Sequence, residues 1–213
     1  MLKAVTVSLT ARADAVSSPV RLEPVQKRST RRVEDLLDAA ARYIHDNGFE
    51  TLTTAHVSEL AGSSIGTVYR YFPDRIALLD ALAQRNRERA SEALALAMSA
   101  ASPGSVEGAL EVALSVLASM HRDEVGFRAL RLGDPLDIRP AREERWGVRY
   151  FAKQASSLAA VSVTPSEQKS LELALDVADT LIAKAYLHNP KGDRALLSQA
   201  SVVALSVFTT SKG

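Results

Sequence analysis

Residues 61–72 of the 213-residue chain read AGSSIGTVYRYF, and this stretch decides the fold. Its glycine-serine turn ends the helix predicted before it, and Ser64 offers a hydroxyl group to cap the next helix. Pro73 ends that second helix, because proline has no backbone N–H to donate and biases the preceding residue away from helical torsion angles. The stretch therefore predicts two short helices, at residues 55–61 and 65–72, joined by a tight turn.

Apolar residues recur at helical spacing on both sides of this stretch. Upstream, the pattern predicts a first helix at residues 31–47. Downstream, a long fourth helix follows Asp74 and ends at the loop that begins with Ser102-Pro103. Beyond that loop, we predict helices near residues 106–121, 123–131, 140–161, 166–188 and 193–210. No strand pattern appears, so the predicted fold is all-α, with about nine helices in total.

A longer helix in front of two short ones is the helix-turn-helix layout, in which the second short helix enters the major groove of DNA. Here that helix offers hydroxyl groups and a cation, at Thr67, Tyr69, Tyr71 and Arg70. Gly66 permits close approach to DNA. The arrangement indicates DNA binding, although aromatic residues at helical spacing are also typical of core packing.

The twelve residues 61–72 resemble the recognition-helix signature of the TetR family of regulators. The similarity continues on both sides, through Phe49 to Thr54 and through Asp74-Arg75 and Leu78-Leu79, and covers about residues 28–82. It implies a three-helix helix-turn-helix domain that binds operator DNA, followed by a larger helical domain that dimerises and binds a small molecule. It also implies a transcriptional regulator, with repression as the usual behaviour.

Carried over position by position, the resemblance assigns roles within the helix-turn-helix. The residues implied to contact the DNA backbone are Ser64, Thr67, Tyr69, Tyr71 and Arg75. Those implied to lie nearest the base edges are Ile65, Gly66 and Arg70. Thr54 is expected to cap the second helix and to contact DNA there, because a helix N-terminus is also an anion site.

The sequence departs from the family's pattern at several positions. Arg75 stands in place of the usual lysine, Ile76 in place of the usual glutamate, and Val57-Ser58 in place of the usual Ile-Ala pair. These changes do not threaten the fold. Ile65, however, leaves the most base-proximal position without a hydrogen-bonding group, so we expect apolar contact with a thymine methyl group there.

The net charge is only +1, so the overall composition does not indicate a nucleic-acid binder. Local charge is more informative. Residues 27–32 contain no anion and four cations, namely Lys27, Arg28, Arg31 and Arg32. This basic segment is predicted to follow DNA phosphates or the minor groove. Simple solvation of a short basic run is the alternative.

Two helices of the C-terminal half, near residues 166–188 and 193–210, are apolar on more than one side. Such helices are buried or lie at an interface. The resemblance implies that they form a four-helix homodimer interface with a second copy, and a purely internal core is the alternative. A dimer predicts a near-palindromic operator whose half-sites lie one DNA turn apart.

The resemblance also implies an effector pocket in the middle helices. The candidate lining residues are His121, Phe127, Trp146, Tyr150 and Tyr186. An apolar pocket with a few polar groups is typical of small-molecule sites. Core packing is the alternative for each of these side chains. The sequence does not indicate the identity of the effector.

Enzyme chemistry is not indicated. The four histidines are scattered without metal-site spacing, cysteine is absent, and the glycines form no phosphate-binding loop. We therefore predict no enzymatic activity, cofactor or metal. The absence of cysteine fits a reducing compartment, and no run of about 20 apolar residues occurs, so we expect a cytoplasmic protein without a membrane partner.

The predicted organisation is a flexible arm at residues 1–26, a helix-turn-helix domain at 27–80, and an effector-binding and dimerisation domain at 81–213. The predicted function is that of a ligand-responsive regulator, expected to repress, that binds a near-palindromic operator as a dimer through residues 64–72. The alternative is an all-helical protein-interaction scaffold that retains the helix-turn-helix without binding an operator.

Overall fold

The computed structural model describes residues 22–132 and 147–210, with side chains described from Arg28 onward. These residues form nine α-helices and no strand, which confirms the predicted all-α fold. The first four are α1 (Leu22–Asn47), α2 (Thr54–Leu60), α3 (Ile65–Tyr71) and α4 (Arg75–Ala101). The others are α5 (Val106–Asp123), α6 (Phe127–Leu130), α7 (Gly147–Leu158), α8 (Pro165–Tyr186) and α9 (Arg194–Thr210).

Helix α1 begins earlier than predicted, at Leu22 rather than at residue 31. Pro24 falls in its first turn, where a missing N–H removes no helical hydrogen bond and the fixed φ angle of proline suits the helix. Residues 22–26, which we had assigned to a flexible arm, therefore belong to this helix. Residues 1–21 of the predicted arm lie outside the described residues.

The helix predicted at residues 123–131 was wrong in extent. Helix α5 continues to Asp123, and α6 is a single turn. Gly126 separates them with a φ angle of +79°, and Arg131 ends α6 with a φ angle of +47°. Positive φ angles interrupt the hydrogen-bond path of a right-handed helix. Of the helix predicted at 140–161, the part at 140–146 lies outside the described residues.

The N-terminal core is formed by α1, α2, α3 and the first turns of α4. Leu36, Val57, Val68 and Leu78 are fully buried in it, and each comes from a different one of these helices. Val68 is the one buried residue within α3. Tyr71 packs half-buried against the same core, and the following residue, Phe72, is buried in it, so α3 is anchored from one side while Ile65, Gly66, Tyr69 and Arg70 are exposed.

The larger core contains residues of α4, α5, α7, α8 and α9, among them Leu94, Leu117, Phe151, Leu175 and Phe208. Helix α8 packs against α5, α7 and α9. Apolar side chains are therefore needed on several sides of α8, which accounts for the pattern in its sequence. Between the two cores lies α6, with Phe127 in the larger core and Leu130 in the N-terminal core.

A buried arginine ties α1 to α4. Arg85 donates from Nη1 to Glu34 Oε2 at 3.2 Å and to Asp38 Oδ1 at 2.7 Å. Its Nη2 donates to the carbonyl oxygen of Leu37 at 3.3 Å. Arg89, one turn further along α4, pairs with Glu34 and with Glu124 at the end of α5. Helix α4 is thereby attached to helices of both cores.

A second polar group lies inside the larger core. His121 Nε2 and Asp179 Oδ1 are 3.0 Å apart, and Arg131 Nη1 donates to Asp179 Oδ2 at 2.7 Å. Asn86 Nδ2 donates to the carbonyl oxygen of Arg131 at 2.7 Å. These contacts join α4, α5 and α8 at the residue that follows α6. They hold Arg131 in its positive-φ conformation.

In the part of the chain that the structure describes, no helix combines the length and the apolar character needed to cross a membrane.

Gly126 provides a test of how closely α1 approaches the turn between α5 and α6. A Cβ at this position would lie 2.8 Å from the carbonyl oxygen of Ala41, and the φ angle is unfavourable for other residues. We expect Gly126→Ala to lower the free energy of unfolding by about 1–3 kcal/mol, measured by urea titration. Gly104→Ala is the control, because a Cβ there meets nothing within 4 Å. Equal effects of the two substitutions would contradict a tight contact.

Candidate nucleic-acid interface

The turn between α2 and α3 is fixed by two hydrogen bonds between the same pair of serines. The backbone N–H of Ser63 donates to the carbonyl of Ser58 at 2.9 Å, and Ser58 Oγ donates to the carbonyl of Ser63 at 2.6 Å. Gly62 lies between them with a φ angle of +58°. Ser58, which departs from the usual alanine, thus supplies one of the two bonds that hold the turn.

The caps of the two short helices were predicted correctly in one case and wrongly in the other. Ser64 caps α3, and its Oγ accepts from the N–H of Thr67 at 3.2 Å. The cap of α2 is Thr53, whose Oγ1 accepts from the N–H of His56 at 3.2 Å. Thr54 is the first residue of α2, and its buried hydroxyl donates to the Tyr69 hydroxyl at 3.3 Å. Thr54 therefore lies behind Tyr69 instead of capping the helix.

Most of the predicted contact residues of α3 lie on its exposed side. Ile65 is 42% exposed and Tyr69 is 52% exposed, and Gly66 and Arg70 are exposed as well. Thr67 is half-buried, and its Oγ1 is 2.9 Å from Ser64 Oγ. The helix thus presents an apolar residue and a glycine at its N-terminal end and aromatic and cationic side chains further along.

Tyr71 connects the end of α3 to the N-terminal part of α1. Its hydroxyl is 3.3 Å from Ser29 Oγ and accepts from Arg70 Nη2 at 3.4 Å. The Arg70 guanidinium also lies 5.0 Å from the centre of the Tyr71 ring. The hydrogen bond to Ser29, and next the neighbouring Arg70, lower the pKa of the Tyr71 hydroxyl below its usual value. The basic segment therefore begins beside α3.

The basic segment itself is exposed. Arg28, Arg31 and Arg32 are all on the surface, and Arg32 Nη1 donates to Ser63 Oγ at 3.4 Å. The side chain of Lys27 lies outside the described residues. Since Arg32 reaches the turn before α3, and Ser29 reaches its last residue, the segment runs beside α3. The structure thus brings together two features that are more than 30 residues apart in sequence.

Arg75 is placed differently from the other predicted contacts. It is half-buried, and its Nη2 donates to the carbonyl oxygen of Phe49 at 2.6 Å. This bond closes the loop between α1 and α2 over the start of α4. The guanidinium is engaged within the protein, so its contact with the DNA backbone stays a prediction.

Similarity to known proteins agrees with this geometry. Residues 36–82 match the family model described as bacterial regulatory proteins of the tetR family. A TetR-family transcriptional regulator from Streptomyces coelicolor is 27% identical, with a TM-score of 0.70 over 84% of this chain and 98% of that one. The helix-turn-helix segment of the chain is therefore similar to that of TetR-family regulators, and the described fold is similar to theirs as well. These similarities support a DNA-binding transcription regulator, and they agree with the prediction that the chain is not an enzyme.

More distant solved structures share the fold. The fatty acid degradation regulator FadR from Bacillus halodurans is 14% identical, with a TM-score of 0.57 over 83% of this chain and 94% of that one. A TetR transcriptional regulator from Rhodococcus sp. RHA1 is 17% identical, with a TM-score of 0.56 over 85% and 97%. At these identities the likeness shows the fold alone. No curated protein sequence has significant similarity to the chain.

The predicted effector residues do not all lie together. His121, Phe127 and Tyr186 pack together in the larger core, where the His121 ring centre is 5.0 Å from that of Phe127 and 6.0 Å from that of Tyr186. Tyr150 is half-buried on α7, and its hydroxyl accepts from Gln154 Nε2 at 2.7 Å. Trp146 lies outside the described residues. An effector role for any of them stays a prediction.

Sequence reasoning missed several residues that shape the interface. Thr53 caps α2, Ser58 closes the turn, and Ser29 holds Tyr71. His56 was noted only as a scattered histidine, yet its ring stacks on Tyr43 at 4.4 Å and joins α2 to α1. Serine and threonine hydroxyls accept many different partners, so their positions in the sequence do not reveal which bond they form.

The two adjacent threonines of α2 provide a direct test of the cap assignment. We expect Thr53→Ala to lower the free energy of unfolding by about 1 kcal/mol, because the N–H of His56 loses its acceptor. Thr54→Val retains the shape of the buried side chain and loses one bond to an exposed tyrosine, so about 0.5 kcal/mol is expected. Urea titration of both variants measures the difference. A larger loss for Thr54→Val would identify Thr54 as the cap instead.

Proposed function

We propose that this protein is a TetR-family regulator that represses transcription by binding a near-palindromic operator as a homodimer, and that a small-molecule effector releases it. The observation that carries the proposal is the position of the basic N-terminal part of α1 beside the exposed side of α3. Cations track phosphates and fix the protein on the duplex, while a helix in the major groove reads bases. A protein that does both needs these residues to be adjacent, and the contacts of Ser29 with Tyr71 and of Arg32 with Ser63 support this.

Within this proposal, some α3 residues contact bases and others contact phosphates. The N-terminal end of a recognition helix approaches the base edges. We assign Ile65, Gly66 and Arg70 to that part of the groove. The hydroxyl groups of Ser64, Thr67, Tyr69 and Tyr71 are assigned to phosphates, where a bond to one oxygen positions the helix without selecting a sequence.

The outward side of α8 and α9 supports a homodimer. Leu173 on α8 is 49% exposed and Val202 on α9 is 57% exposed. The 16 residues from Ala195 to Thr210 contain no charge, although 24% of the chain is charged. An uncharged surface with exposed aliphatic side chains is typical of a protein interface, since charged residues are depleted at interface centres.

For the effector, we propose the open grooves that border Tyr150. One, of about 600 Å³, lies between α7 and the start of α8 and includes Lys153 and Gln168. The other, of about 480 Å³, is lined by α4 residues, including Arg87 and Ser91. A ligand in this second groove would contact α4, the helix that Arg85 joins to α1. If the ligand binds more tightly when α4 is in a position that does not fit the operator, ligand binding favours that position. Operator affinity then falls.

Selection from random DNA duplexes tests operator binding. The purified protein is incubated with the pool at two salt concentrations, and the retained DNA is sequenced. We expect enrichment of a near-palindrome whose affinity falls steeply with salt, because binding releases condensed counterions. Absence of enrichment at either salt concentration would contradict operator binding and favour the scaffold alternative.

The basic segment is tested on the selected operator. We expect Arg28→Gln combined with Arg31→Gln to weaken binding and to reduce the slope of log affinity against log salt by about 3–4, since a dimer loses four cations. The control is Lys191→Gln combined with Arg194→Gln, which removes two exposed cations of the larger domain. An unchanged slope in the Arg28/Arg31 variant would show that the segment is merely solvated.

Charge placed on the α8–α9 surface tests the dimer. We expect Leu173→Glu to raise the dimer dissociation constant at least about tenfold, because an unpaired charge would be buried. Analytical ultracentrifugation measures the change. Leu96→Glu is the matched control, because Leu96 is 74% exposed on α4. Dimerisation that resists Leu173→Glu, or that fails equally in both variants, would argue against this surface.

A further inference from the structure

The polar side chains of α3 already have partners inside the protein. Thr67 is paired with the capping Ser64, and Tyr69 with the buried hydroxyl of Thr54. Arg70 lies over Tyr71 and bonds to its hydroxyl. Tyr71 is in turn held by Ser29. The bonds to Thr54 and Ser29 direct the two tyrosines toward α2 and α1, which suits the tyrosines to positioning the helix more than to reading bases in the groove.

Two residues at the N-terminal end of α3 remain without such a role. Ile65 is the first residue of the helix and is 42% exposed, so it contributes little to the N-terminal core. Gly66 follows it in a helical conformation, and a Cβ there would meet only Ser64 Oγ, at 4.0 Å. A glycine inside a helix costs about 1 kcal/mol relative to alanine, and nothing in the protein requires it here. The space beside Gly66 is therefore available to DNA.

The chemistry of the major groove decides what Ile65 meets. Most groups on the floor of the groove are hydrogen-bond donors or acceptors, and the C5-methyl group of thymine is the apolar one. An isoleucine pressed against a donor or acceptor would remove its water without replacing the hydrogen bond. Against a methyl group, it buries apolar surface on both sides.

We propose that Ile65 reads the C5-methyl group of a thymine in each half-site of the operator. The inference rests on the proposed function, because it requires α3 to lie in the major groove. At this position, the sequence would be selected by van der Waals contact and by the exclusion of water. The absence of a side chain at Gly66 would let the helix approach the bases closely enough for that contact. A 5-methylcytosine carries the same methyl group at the same place in the groove.

The test uses the operator recovered by selection. Each thymine is replaced by deoxyuridine, one position at a time and symmetrically in both half-sites, which retains pairing and removes only the methyl group. We expect one position at which the wild-type protein loses about fourfold in affinity per half-site, or about fifteenfold for both. Ile65→Ala should bind thymine and deoxyuridine operators equally at that position.

Leu60→Ala is the matched control. Leu60 is another exposed aliphatic residue of the same three-helix unit, 49% exposed at the end of α2, so its variant should keep the full sensitivity to deoxyuridine. Both side chains are exposed, and unchanged urea unfolding curves establish that the variants are folded. Cytosine and 5-methylcytosine at the sensitive position form a second comparison, in which methylation should strengthen binding by wild-type protein but not by Ile65→Ala.

Several outcomes overturn the inference. Deoxyuridine without effect at every position would show that no methyl group is read. Sensitivity that persists in Ile65→Ala, or that disappears equally in Leu60→Ala, would assign the contact to another residue. Failure to recover any operator in the selection would instead overturn the proposed function, and this inference with it. The two failures are therefore distinguishable.

Discussion

The buried guanidinium of Arg85 is the interaction on which the arrangement of the molecule depends. Its charge is removed from water, and such a charge is tolerated only when carboxylates and carbonyls surround it. Glu34, Asp38 and the Leu37 carbonyl meet that requirement, and all three belong to α1. Because α4 continues from this junction into the larger core, the position of α1 relative to α4 determines where the recognition helix is held. The hydrogen bonds of Arg85 therefore help to set the position of the three N-terminal helices relative to α4.

The DNA-binding surface is organised before any DNA arrives. Thr54 orients Tyr69, Ser29 orients Tyr71, and the two bonds between Ser58 and Ser63 fix the turn. Ordering side chains in advance lowers the entropy that binding would otherwise cost. The same bonds leave the N-terminal end of α3 as its freest and most apolar part. The result is a preorganised surface whose exposed N-terminal tip is an aliphatic side chain, Ile65.

Much of this could be predicted from sequence, because helical periodicity and turn residues are local signals. The positions of α2, α3, α4 and α9 were predicted to within about two residues, as expected for boundary signals of this kind. The predictions failed where contacts between distant parts of the chain determine the local structure. Thr53 and Thr54 are both acceptable caps, and only the register of α2 separates them. The helix expected at 123–131 is broken at Gly126, whose backbone lies against Ala41 from a distant part of the chain. The buried partnership of His121 with Asp179 joins two helices that no local pattern connects.

The single turn α6 has a consequence for how the molecule loses its structure. Four residues are far too few for a helix to be stable by itself, since helix formation has a costly nucleation step. Its conformation persists because Phe127 is held in one core and Leu130 in the other. If either core melts, α6 loses half of its support and the remaining core loses a buried side chain. The two parts of the protein are thus linked thermodynamically, and thermal denaturation should follow one cooperative transition in place of two independent ones.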